Sequence, residues 1–166
     1  CQYCPRGIAL MENLAHKYGD DFIGIAIHTG RGYEPLNCED YAWKAAEYKN
    51  RPSLIMNRDV PLGSYIAQTE FETERSKGAY MDLEVSAMWD KEKNNITVTP
   101  NVIFRLNREE VPYGFAYVLT EDGMSSHNWK QANYYNGRTE FYGISDELDY
   151  FVNAPGTIYN LENNFV

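Results

Sequence analysis

No apolar run in this chain of 166 residues approaches the roughly 20 that a membrane helix needs. The longest, Phe22 to Ile27, has the length of a strand. Basic charge is also scarce: 15 Lys and Arg face 24 Asp and Glu, for a formal charge of −9. Nucleic acids and anionic membrane surfaces both call for a basic face, so neither suits this chain as a partner. No nucleophile elbow, phosphate loop, dinucleotide glycine pattern or metal-protease motif is present. What the chain does have is 43% hydrophobic and 23% charged residues. That mixture excludes a largely disordered chain and leaves material for a core in one domain or two small ones. Fourteen tyrosines and three tryptophans give a composition common among secreted and cell-envelope β-proteins. The chain opens inside a motif and ends on the apolar pair Phe165-Val166, so an excerpt of a longer protein is expected.

The three cysteines are Cys1, Cys4 and Cys38. Cys1-Gln2-Tyr3-Cys4 is a C-x-x-C, and three readings compete for it. A structural zinc site needs four ligands at short spacings, and Cys38, His16, His28 and His127 do not supply them, so no metal is expected. An acylated Cys1 would be followed by a flexible tether, whereas a helical pattern begins within a few residues. The third reading is a dithiol at the start of a helix. Ile8, Met11, Leu14, Ala15 and Tyr18 recur three and four apart, which is one apolar helical stripe. Pro5 is tolerated in a first turn. Cys1 is then expected at the helix N-terminus, where backbone N–H groups and the dipole favour a thiolate. Cys4 follows one turn later, placed to resolve a mixed disulfide. A structural disulfide remains the bland alternative.

Gly19 is expected to close this helix. Asp21 to His28 reads as a strand apolar on both faces, the pattern of a central parallel strand, with a parallel partner expected upstream of Cys1. Residues 29–37 read as a loop. Glu39 to Tyr48 reads as a second helix with Tyr41, Ala42, Ala45 and Ala46 inward. Pro52 then leads the apolar run Leu54 to Met56.

A C-x-x-C opening a helix, a buried strand, a second helix and then an X-Pro leading a strand resemble the thioredoxin fold. More narrowly, Cys-Gln-Tyr-Cys-Pro-Arg-Gly, Phe-Ile-Gly-Ile-Ala-Ile-His, Arg-Pro-Ser-Leu-Ile-Met-Asn-Arg and Val-Leu-Thr-Glu-Asp-Gly resemble the twenty-eight-kilodalton outer-membrane-protein-related family of bacterial envelope proteins. These short matches span residues 1 to about 137. The resemblance implies a thioredoxin-like part followed by a β-rich part. It also implies a cis Pro52 against the nucleophilic cysteine, and an Arg51 backbone that pairs with bound substrate. It implies a periplasmic or outer-membrane-associated address, compatible with a signal peptide or lipid anchor upstream.

Ser64 to Lys77 reads as a third helix, with Ser64 able to cap it and Gly78 to end it. From Tyr80 the period changes to two. Met81, Leu83, Val85, Ala87 and Trp89 alternate with Asp82, Glu84, Ser86 and Met88. Lys91 to Asn95 reads as a turn, and Ile96 to Thr99 as a strand. Pro100 implies an edge or a bulge. Val102 to Leu106 continues as strand, Asn107 to Glu110 turns, and Tyr113 to Thr120 reads as a strand covered on both sides. These strands suggest a small antiparallel sandwich. The expected fold is therefore α+β overall: a thioredoxin-like α/β domain over 1–78 and an antiparallel β-sandwich-like domain over 79–166.

Residues 124–137 interleave aromatic and amide groups, among them His127, Trp129, Gln131, Asn133, Tyr134 and Tyr135. They are either a platform for sugar or peptide or a long β connection packed on a sheet; packing is the simpler reading. His28, ending its strand, is a candidate modulator of the thiols, though a polar strand terminus is the simpler reading. Cys38 is a lone third thiol.

The leading expectation is a thiol–disulfide oxidoreductase or isomerase acting on proteins of the cell envelope. Cys1 is the nucleophile and Cys4 the resolving thiol, Arg51 and Pro52 shape the substrate groove, and protein or peptide thiols and disulfides are the partners. No cofactor is called for, because sulfur carries the chemistry. The alternative is a non-catalytic envelope binding or structural protein in which Cys1 and Cys4 form a staple.

Overall fold

The computed structural model describes residues 1–30, 34–105 and 113–166. The fold is mixed α+β. Two compact units are present, one formed by Cys1–Phe71 with Val118–Val166 and the other by Glu72–Tyr117.

The larger unit begins with helix α1, Cys4–Tyr18, with Pro5 in its first turn and Gly19, at φ 52°, as its C-cap. Glycine adopts that positive φ at little cost, which is why the apolar stripe stops there. α1 is followed by a 3-10 turn at Gly19–Asp21 and by helix α2, Glu39–Ala46. Strand β1, Leu54–Met56, pairs antiparallel with β2, Val60–Leu62. Asn57 and Arg58 both take positive φ in the turn between them, the backbone twist that suits a tight hairpin.

Two apolar clusters flank α1. Leu10, Leu14, Leu54, Leu62 and Ala67 form one. Ala9, Tyr135, Leu148, Phe151, Val152, Ala154 and Ile158 form the other. Each fully buried Leu contributes roughly 1.5–3 kcal/mol relative to exposure. The second cluster is built by the C-terminal part of the chain. Strand β5, Lys130–Ala132, pairs antiparallel with β6, Thr157–Tyr159. The amphipathic helix α4 is Asp146–Asn153, and Ser145 Oγ caps it by accepting from the Leu148 N–H.

The smaller unit contains strands β3, Met81–Asp90, and β4, Asn95–Phe104, in one antiparallel ribbon. Register places Met81 opposite Phe104, Leu83 opposite Val102, Val85 opposite Pro100, Ala87 opposite Val98 and Trp89 opposite Ile96. The apolar residues thus share one face, as their alternation requires. The Arg105 N–H donates to Tyr80 O, so bonded pairs alternate from there, and Pro100, opposite Val85, falls at a pair that owes no ladder bond. Arg105 makes a two-pronged pair with Asp82, at 3.1 and 2.5 Å. Helix α3 is Gln68–Ser76.

Three expectations require correction. Phe22–His28 is irregular rather than a central parallel strand. Its Ala26 N–H donates to Phe165 O at 2.7 Å, and Ile23 is 86% exposed. A parallel strand needs neighbours for its whole ladder, and one such bond does not supply them. Tyr113 to Thr120 likewise forms no strand. Phe115, Tyr117 and Leu119 are exposed instead of covered on both sides. Finally, Ser64 does not cap α3, which starts at Gln68; its hydroxyl donates to Ile66 O. The turn expected over Asn107 to Glu110, and the end of the strand expected at Leu106, lie outside the described residues.

Candidate thiol site

The C-x-x-C occupies the approach to α1. Tyr3 is the N-cap and Cys4 the first helical residue. Cys1 therefore stands ahead of the helix rather than within its first turn. The Cys4 N–H donates back to Cys1 O at 3.1 Å, which folds the motif into a single turn. All three cysteines are free thiols: Cys1 is exposed, Cys4 half-buried and Cys38 exposed. Burial pushes the Cys4 thiol above its ordinary 9.0; the Glu34 carboxylate pushes the same way and Arg51 opposes it.

A segment some fifty residues on meets this turn. Cys1 Sγ lies 3.5 Å from Arg51 O, with the thiol as donor. The Arg51–Pro52 peptide is cis. Arg51 is itself tied down, its Nε and Nη2 donating to Thr29 Oγ1 at 3.2 and 2.5 Å. Arg6 on α1 donates to Pro52 O at 3.4 Å and to Gly63 O at 3.1 Å. Gly7, one residue on, lets Pro52 approach α1: a Cβ there would lie 3.1 Å from Pro52 Cβ.

A cleft of about 240 Å³ is lined by Tyr3, Arg6, Asn50, Arg51, Pro52, Tyr65 and Tyr135; Arg51, whose carbonyl meets Cys1, is among them. Three of the lining residues are tyrosines and two are arginines. Burial, with Tyr65 alongside, pushes the Tyr135 phenol up to about 12, so at neutral pH it stays an uncharged donor.

His28 lies within the irregular stretch after Asp21, with Nδ1 3.3 Å from Glu34 Oε1. That contact, followed by the Leu36 N–H, holds the Glu34 carboxyl below its ordinary 4.5 despite partial burial. Glu34 is in turn one of the charges that raise the Cys4 thiol. Sequence reasoning passed over Glu34, since a single acid in a loop has no periodicity to mark it.

It also missed the groups that hold the motif from the far end of the chain. Gln131 Nε2 donates to Cys1 O at 2.8 Å, and the Tyr134 N–H donates to Gln2 O at 2.9 Å. The segment around them had been read as a packed connection or a binding platform. Its Tyr135 is buried in the core, as packing requires. Among the described residues no group of three or more His, Cys, Asp or Glu is placed to hold a metal ion. No helix among them is long and apolar enough to cross a membrane.

No protein-family model matches the chain, and neither a curated protein nor a solved structure matches it. The function must therefore be argued from the site alone.

Proposed function

We propose that this chain is a thiol–disulfide oxidoreductase or isomerase acting on protein substrates, with Cys1 as nucleophile and Cys4 as resolving thiol. The observation that carries the reading is the meeting of Cys1 Sγ with Arg51 O, 3.5 Å apart, where Arg51 and Pro52 also line a cleft with three tyrosines. An exposed thiol next to a backbone carbonyl and an open groove is suited to a disulfide presented on an extended peptide. The Arg51 backbone would pair with that peptide, and the Pro52 ring would set the groove wall.

The chemistry is exchange between sulfurs. The Cys1 thiolate attacks one sulfur of a substrate disulfide. A Cys1–substrate S–S bond forms, the substrate S–S bond breaks, and the departing thiolate takes up a proton. Cys4 then loses its proton and attacks Cys1 Sγ. The Cys1–Cys4 disulfide forms, and the second substrate thiol leaves and is protonated. The substrate gains two electrons and two protons, and the dithiol loses them. In the reverse direction the same steps oxidise a substrate dithiol.

The reading extends to a thioredoxin-like arrangement of the part carrying the motif, a sandwich-like β-rich part, and an address in the bacterial cell envelope. The C-x-x-C-Pro opening of α1 and the Arg51-Pro52 dipeptide support the first of these. The motif resemblance to envelope proteins supports the other two.

The deciding experiment is the reduction potential of the Cys1–Cys4 pair, equilibrated in glutathione buffers and read by alkylation and mass. A value between roughly −120 and −270 mV supports exchange chemistry. A value below about −300 mV marks a structural disulfide and defeats the proposal.

A further inference from the structure

Three successive residues of the motif are gripped by one stretch of chain about 130 positions away. Gln131 Nε2 donates to Cys1 O at 2.8 Å and also to its neighbour Ala132 O at 2.6 Å. The Tyr134 N–H donates to Gln2 O at 2.9 Å. The Tyr3 and Tyr134 rings meet with centroids 4.7 Å apart. Arg138 backs this stack, its guanidinium 3.8 Å from the centre of the Tyr134 ring and its Nε donating to Tyr134 O at 2.9 Å.

The gripping stretch is itself firmly anchored. Gln131 lies in β5, opposite Ile158 of β6. Asn133 is buried, and its Nδ2 donates to Phe151 O at 2.7 Å and Pro155 O at 3.1 Å, while its Oδ1 accepts the Tyr135 N–H at 3.1 Å. The Asn133 N–H donates to Gly156 O at 2.8 Å. The contacts on the motif therefore come from a platform with little freedom of its own.

We propose that residues 131–138 form a clamp that fixes the geometry of the C-x-x-C turn, with Gln131 and Tyr134 as positioning residues for the Cys1–Cys4 couple. The consequence for catalysis rests on the exchange reading above; the clamp itself does not. The physical argument is preorganisation. Closing a disulfide across four residues requires the turn to hold one geometry, and a turn already held loses less freedom on closing. Releasing it lowers the effective concentration of one thiol at the other. The Gln131 side chain supplies a bond to the backbone of Cys1, and the Tyr134 ring covers Tyr3. Neither touches a sulfur, so both act through the turn.

The test uses the full-length protein with Gln131→Met, Tyr134→Ala and Tyr134→Phe, each checked for an unchanged far-ultraviolet spectrum. The equilibrium constant for forming the Cys1–Cys4 disulfide against glutathione is measured for each. Gln131→Met and Tyr134→Ala are expected to shift it threefold or more toward the dithiol, about 14 mV for a two-electron couple. Tyr134→Phe keeps the ring and the backbone donor and is expected to match the wild type. Wild-type constants in both Gln131→Met and Tyr134→Ala, or a shift toward the disulfide, overturn the clamp. A wild-type potential outside the exchange range sinks the exchange reading alone. The clamp is then decided by the rate of Cys1 alkylation with iodoacetamide at fixed pH. A threefold or greater change in Gln131→Met, as the turn that fixes the surroundings of the Cys1 thiol loosens, supports it; an unchanged rate overturns it.

Discussion

Cys1 Sγ lies 3.5 Å from the carbonyl oxygen of Arg51 although fifty positions separate them. The pair ties the start of α1 to the segment that leads into β1. If Cys1 is the attacking thiol and Cys4 the resolving one, their serine variants fail differently. Cys1→Ser is expected to reduce insulin no faster than the uncatalysed background and to form no adduct. Cys4→Ser can still attack but cannot resolve, so it is expected to accumulate a mixed disulfide with substrate, seen as an added mass lost on reduction. Equal adduct formation by both variants would reverse or cancel the assignment.

Gly7 tests the packing of Pro52 on α1. A Cβ at Gly7 would lie 3.1 Å from Pro52 Cβ, 3.6 Å from its Cγ and 3.9 Å from Leu54 Cδ1. Alanine gains helix propensity of up to about 1 kcal/mol over glycine, which offsets part of the crowding. Valine adds two methyl groups at the same place and loses β-branched rotamer freedom in the helix. Gly7→Val is expected to destabilise the unit by about 1–3 kcal/mol, the usual range for overpacking, with Gly7→Ala much closer to neutral. Urea unfolding checks both. A Gly7→Val midpoint equal to the wild type would mean that Pro52 yields freely.

How far the sequence could be read depends on the range of the interactions. Local signals were legible: the stripe of α1, its stop at Gly19, and the alternation that puts Leu83, Val85 and Trp89 on one face of the ribbon. The C-x-x-C and Arg51-Pro52 could be brought together because the motif resemblance linked them. Phe22–His28 misled because apolarity on both sides signals burial, not the presence of neighbouring strands to complete a ladder. Glu34 carries no local signature, and Gln131 and Tyr134 stand out only as members of the aromatic and amide run 124–137. Their roles arise from contacts across the chain, which neither spacing nor propensity encodes. Helix α4 was legible in principle from Ser145 followed by Asp146, Glu147 and Asp149, a cap with acids in the first turn.

The two thiols of the motif should separate by pH. Burial raises Cys4 above its ordinary 9.0, and the nearby Glu34 carboxylate adds to the rise. A raised thiol is the protonated, unreactive form at neutral pH. In the reduced protein, mass mapping after brief iodoacetamide treatment near pH 7 is expected to find Cys1 modified and Cys4 spared. Alkylation of Cys4 is expected to set in at higher pH than for an ordinary thiol. Glu34→Gln removes the opposing negative charge, so the onset of Cys4 alkylation should move to lower pH. Equal modification of Cys1 and Cys4 at neutral pH would contradict the burial argument.

The contact between α1 and α4 carries its own pH signature. His16 Nδ1 lies 2.8 Å from Glu147 Oε1, and Asn13 Nδ2 donates to the other carboxylate oxygen at 2.9 Å. The bond to Glu147 raises His16 above its ordinary 6.5. Burial pushes Glu147 up, but the bonds from His16 and Asn13 outweigh it, and its carboxyl falls below the ordinary 4.5. The signs follow from linkage. A raised histidine stabilises the fold fully below its unfolded value of 6.5, and that contribution is lost as pH rises through its folded value. A lowered carboxylate stabilises above its unfolded value of 4.5, and that contribution is lost as pH falls through its folded value. The pair therefore contributes most between those two values. His16 is 68% exposed at its side chain, so water screens the interaction and at most about 1 kcal/mol is expected. A double-mutant cycle with His16→Gln and Glu147→Gln, followed by thermal unfolding, should show coupling at about pH 5.5 and none at about pH 9. Coupling that survived undiminished at the higher pH would assign the contact to hydrogen bonding of the neutral ring rather than to charge.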